Sequence, residues 1–186
     1  FATIDTIRKH RSMGDTVALN GQIRYRTIIA AALMWLIRWQ KDTIETYRAP
    51  QNRIENSMIE EAYAVHGEGL LRAAERTRLL RQLANHGLLA FVYYVVANRE
   101  PELADRMMNT LEDPAGVSTT DPFFKLRSYF TLDHHKKKDP VAVIALCFKA
   151  LNAAHRDEKI GALTWKNQGS RREEFPLLML DKGRIK

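Results

Sequence analysis

Residues Gln22–Gln40 read QIRYRTIIAAALMWLIRWQ, and every side chain from Ile28 to Ile37 is apolar. A surface helix carries an apolar stripe, whereas this run is apolar all round, which points to burial on all sides. Ala30, Ala31 and Ala32 favour helix and allow neighbouring helices to approach closely. A transmembrane helix needs about 20 apolar residues, roughly twice this run. Arg24 and Arg26 mark one end, and Arg38 and Lys41 the other. The stretch reads as the central helix of a globular domain, with the rest of the chain folded around it.

Working outward, the C-terminal side is helical by pattern. Lys41–Arg53 is polar and holds Pro50, a loop. Ser57-Met58-Ile59-Glu60 has the spacing of a capping box and predicts a helix to about His66. Gly67-Glu68-Gly69 predicts a break, and Leu70–Leu83 a second amphipathic helix. His86–Asn98 is apolar almost throughout. Val92–Val96 has strand propensity, but the length of the run favours a buried helix. A helix starts around Asn98–Pro101 and runs to about Leu111. Asp113–Thr120 is a loop. Asp121-Pro122 and Asp139-Pro140 each combine a capping aspartate with proline at the first helical position. They open helices to Leu132 and His155, the second apolar nearly all round.

The two ends read differently. Phe1–Asp5 resembles an extended segment, and a short helix from Gly14-Asp15 stops at Asn20-Gly21. Ala162–Trp165 and Phe175–Leu180 suit short strands, or a tail laid over the helices. The expected fold is therefore all-α, or mostly helical. It is a multi-helix globular domain of seven or eight helices over residues 1–155 around the buried central helix, with residues 156–186 an extended C-terminal segment packed on it.

The 186 residues suffice for one domain with a real core. The formal net charge is +7 and the isoelectric point about 9.6. Residues 1–50 hold eight Lys/Arg against four Asp/Glu, residues 51–120 seven against ten, and residues 121–186 fourteen against eight. Positive potential thus belongs to the two ends, which favours acidic partners, nucleic acid before an anionic membrane surface. Cys147 is the only cysteine and lies in an apolar run, so it reads as a buried inert thiol in a cytosolic protein. No signal peptide is visible. The chain opens on Phe1 rather than Met, as expected of a fragment, a processed product or the ordered part of something longer.

His134-His135, with Asp133 and Asp139, is the densest group of possible metal ligands. Zinc sites use four ligands at ordered spacings, and Lys136, Lys137 and Lys138 would repel a cation. A solvated loop is the default reading there, and no metal or cofactor is expected. Those three lysines precede a helix N-terminus and read better as a phosphate contact. The helices on either side make a poor helix-turn-helix, because the connection is long and the second helix too apolar to lie in a groove. A basic surface could combine Arg8, Lys9 and Arg11 with Arg24 and Arg26, and with Arg171 and Arg172, Tyr25 stacking or hydrogen-bonding beside a nucleic-acid backbone. The plainer alternative is a salt-bridged rim over the acidic middle segment. No nucleophile elbow, Walker loop, HExxH or CxxC occurs, and no catalytic residue is nominated.

Three stretches together carry a resemblance: Phe1–Gly21 (FATIDTIRKHRSMGDTVALNG), Asp121-Pro122 with Leu126-Arg127, and Phe148–Trp165 (FKALNAAHRDEKIGALTW) followed by Glu174-Phe175-Pro176. In that order they resemble the C-terminal helical part of bacteriophage and mobile-element proteins that carry a ParB-like N-terminal domain. The resemblance implies DNA-associated work in a phage or plasmid setting, in the host cytoplasm, with any catalytic domain placed before Phe1. The expected function is a non-enzymatic DNA-associated binding module, weakly sequence-specific, contacting phosphates through Lys/Arg. The competing class is a protein-interaction or assembly module that binds a host or phage protein or forms a homo-oligomer. A third is an enzyme with an unfamiliar helical site.

Overall fold

The computed structural model describes residues 25–78, 80, 85–131 and 139–157, and over these the fold is all-α. Its helices are α1 (Arg26–Gln40), α2 (Asn56–Thr77), α3 (His86–Ala97), α4 (Pro101–Glu112), α5 (Pro122–Thr131) and α6 (Pro140–His155), with a single 3-10 turn at Pro50–Asn52. The segments expected at Phe1–Asp5, Gly14–Leu19, Ala162–Trp165 and Phe175–Leu180 lie outside the described residues. The chain divides into two compact units, one holding α1, α2 and α3 as far as Tyr94, the other α4, α5 and α6.

In the first unit α1 packs against α2. Ile29, Ala32, Leu33 and Leu36, at helical spacing, are fully buried. Ile28, Ala31, Met34 and Trp35 on another side are only half-buried, so enclosure is uneven around the apolar run. Arg38, expected to mark a polar end, is buried instead. The helix ends in a Schellman turn: the Thr43 N–H donates to the Arg38 carbonyl at 2.8 Å and the Asp42 N–H to the Trp39 carbonyl at 3.1 Å. Asp42 sits at φ 61°, the left-handed position this turn requires.

Helix α2 corrects two expectations. It begins at Asn56, so Ser57 lies inside the first turn and is not the cap. Extended Glu55 (φ −94°, ψ 157°) takes that place, its N–H facing Met58 Sδ at 3.3 Å. The helix also runs unbroken through Gly67 and Gly69 to Thr77. Two glycines cost a helix about 2 kcal/mol in propensity, yet here they are contact points. A methyl on Gly67 would lie 3.1 Å from the Tyr63 ring, and one on Gly69 2.2 Å from the Tyr94 ring of α3. Close helix approach outweighs the local preference.

The run Val92–Val96 is helical, inside α3, and Leu88, Leu89, Phe91 and Val92 are buried. In the second unit α4, α5 and α6 contact one another. Both Asp-Pro devices work as expected: Asp121 Oδ1 accepts from the Phe123 N–H at 2.8 Å, and Asp139 Oδ1 from the Val141 N–H at 3.0 Å. Val141 to Phe148 is buried at every position, the signature of a helix enclosed all round.

Candidate nucleic-acid interface

Of the ten nominated cations, only Arg26 falls within the described residues. Arg8, Lys9, Arg11, Arg24, Lys136, Lys137, Lys138, Arg171 and Arg172 lie outside them, as do His134 and His135. Arg26 is exposed at the first position of α1, whose first turn holds no acidic residue. A cation is unfavourable there, because the free N–H groups already make the helix N-terminus positive. Helix stability therefore does not explain Arg26. Tyr25 does not take the expected stacking role; it is buried, with 8% of its surface exposed.

Other basic residues have local work. Arg106 pairs with Asp121 at 2.7 Å and lies 5.3 Å over the Phe123 ring. Arg127 Nε donates to the Leu111 carbonyl at 3.0 Å, tying α5 to α4. Arg99 faces Glu100 at 3.8 Å. These interactions give three cations of the second unit local structural contacts.

The sequence reading missed the arrangement at the C-terminal end of α1. The Schellman turn reverses the chain, Ile44 is buried, and Tyr47 comes back beside the helix. Its ring centre lies 5.2 Å from that of Trp35. Arg38 lies 5.2 Å from the Trp35 ring centre and 5.7 Å from that of Tyr47. Arg48 lies 5.2 Å from the Tyr47 ring centre, and its Nε donates to the Tyr47 hydroxyl at 2.8 Å. The turn beyond is pinned by Asn52, whose amide donates to Thr46 Oγ1 at 2.6 Å and to the Thr46 carbonyl at 2.9 Å. Arg38 is 8% exposed, and its buried Nε has no hydrogen-bond partner among the described residues. Burial lowers its pKa, with Tyr47 opposing the shift, but a guanidinium stays protonated. The letters W-x-x-R from 35 to 38 carried the only signal, since residues three apart share a helix face.

Two further polar groups are inside the first unit. His66 is 3% exposed; its Nδ1 lies 2.7 Å from the Tyr94 hydroxyl and its Nε2 3.4 Å from the Gln40 amide nitrogen. Burial lowers the His66 pKa and raises that of Tyr63 to about 12. In the second unit Cys147 is fully buried, its thiol pushed far up by burial, which makes it unreactive. No group of His, Cys, Asp and Glu among the described residues suits a metal ion, and no described helix is long and apolar enough to cross a membrane. No protein-family model matches the chain, and comparison with curated proteins and with solved structures finds no match.

Proposed function

We propose that the chain is a DNA-associated binding module without catalytic chemistry of its own, contacting phosphates through the lysines and arginines of its terminal segments and of the 132–138 connection. One observation carries this reading. The described residues hold 14 Lys/Arg against 15 Asp/Glu, whereas the chain as a whole carries +7. The helical body is thus charge-balanced, and the surplus resides in Arg8, Lys9, Arg11, Arg24, Lys136, Lys137, Lys138, Arg171, Arg172 and their neighbours. A charge-balanced helical body with the basic surplus elsewhere in the chain suits a polyanion bound mainly by its backbone. Exposed Arg26 at a helix N-terminus adds to it. The likeness to the helical part of phage and mobile-element proteins with a ParB-like domain supports the same setting.

The test is fluorescence anisotropy of a labelled duplex against the full chain over a salt series. Affinity falls linearly on a log–log scale, and exchanging Lys136, Lys137 and Lys138 for Glu weakens it. A flat salt response, with capture of a protein partner that survives high salt, would replace this reading with the assembly-module one.

A further inference from the structure

Arg38 combines three features. Its guanidinium carries a full charge, the residue is more than nine-tenths buried, and Nε has no acceptor among the described residues. Among the described residues no carboxylate pairs with it. Trp35 and Tyr47 supply cation–π contacts, which offset part of the cost of burying the charge. Nε–H is left without an acceptor among the described residues, and it is one of the in-plane donors with which a guanidinium forms a bidentate fork to an oxyanion. A buried charge without a counter-ion is costly, so the site is energetically incomplete as it stands. It is also open at one side: Trp35 and Tyr47 are half-buried and Arg48 is exposed.

We propose that Arg38, packed against the Trp35 and Tyr47 rings and flanked by Arg48, is a binding site for a phosphate group. Both guanidinium groups lie within 6 Å of the Tyr47 ring centre, and two neighbouring positive charges favour a doubly charged ion over a monocarboxylate. The phosphate can belong to a small free ligand or to a nucleic-acid backbone. The proposal does not rest on the reading of the chain as a DNA-associated module.

The experiment observes the Arg38 Nε–H directly by nitrogen-15 NMR of the full chain. Inorganic phosphate is titrated at constant ionic strength, and acetate is titrated in parallel. The Arg38 resonance moves saturably with phosphate, and at least tenfold more acetate is needed for the same change. Arg38→Lys keeps the charge but loses the planar fork. It raises the phosphate Kd at least tenfold, read from the thermal shift that phosphate gives the variant. Arg48→Gln, at an exposed position where folding is not at stake, raises it several-fold. A duplex that displaces phosphate identifies a backbone source, and one that does not identifies a small ligand. Charge reversal at Lys136, Lys137 and Lys138 leaves the phosphate titration unchanged even where it abolishes DNA binding, so the two proposals fail separately. A resonance that never saturates, responds equally to acetate, or ignores Arg48→Gln would overturn the site.

Discussion

A methyl group has no room at Gly87. It would stand 2.4 Å from Ala31 Cβ and 3.3 Å from the Ile28 carbonyl oxygen, so α3 meets α1 backbone to backbone. Gly87→Ala therefore lowers stability by about 1–3 kcal/mol through overpacking, read as a lower urea midpoint with an unchanged slope. His66 gives a second residue-scale prediction, in pH. With the Gln40 amide donating to Nε2 and Nδ1–H donating to the Tyr94 hydroxyl, both ring nitrogens of the neutral form are used. The folded pKa lies below the ordinary 6.5 because of burial. Between that lower value and 6.5 the unfolded chain binds the proton more readily, so stability is full above about 6.5 and declines as pH falls. The urea midpoint drops from pH 7 to pH 5, and His66→Gln flattens that dependence while lowering the midpoint overall. Neither His66 nor Arg38 was legible in the sequence. A lone polar letter near a helix end reads as exposed, and the decisive partners come from elsewhere: Tyr94 and Gln40, 28 and 26 positions from His66, and Tyr47, nine from Arg38, which joins its helix neighbour Trp35.

Helix boundaries follow from side chains that satisfy free backbone groups, and this is where the sequence was most informative. The Asp139 cap is direct: Asp139→Ala removes the acceptor of the Val141 N–H and lowers stability by about 1 kcal/mol, a change measurable in thermal unfolding. At the other end of α6, Asp157 occupies φ 55° just past the helix, where its negative charge also opposes the carbonyl ends. Asp157→Gly accepts that backbone without strain and raises stability by about 0.5 kcal/mol. The Asp-Pro pairs could be read because capping is local. The Gly67/Gly69 break and the Ser57 cap could not, since the first depends on Tyr94 arriving from α3 and the second on the extended backbone at Glu55.

At the scale of the whole molecule the candidate interface was legible only as an imbalance of charge, because position along the chain says where lysines and arginines are but not which of them share a face. Arg106 and Arg127 show the difference: each is a cation in the sequence and a structural contact in the fold. A measurement that counts contacts rather than charges is therefore the decisive one for the DNA proposal. Each phosphate neutralised releases condensed counter-ions, so the slope of log K against log salt is about −0.9 per contact on duplex DNA. If Lys136, Lys137 and Lys138 each meet a phosphate, exchanging all three for Gln makes the slope shallower by about 2.7. If they meet no phosphate, no counter-ions are released at them and the slope moves far less. Exchanging Arg106 for Gln on the same chain leaves the slope where it was, its guanidinium being held by Asp121 and the Phe123 ring. A shallower slope for the lysine variant alone assigns the contacts to that connection; equal slopes for wild type and both variants remove it from the interface.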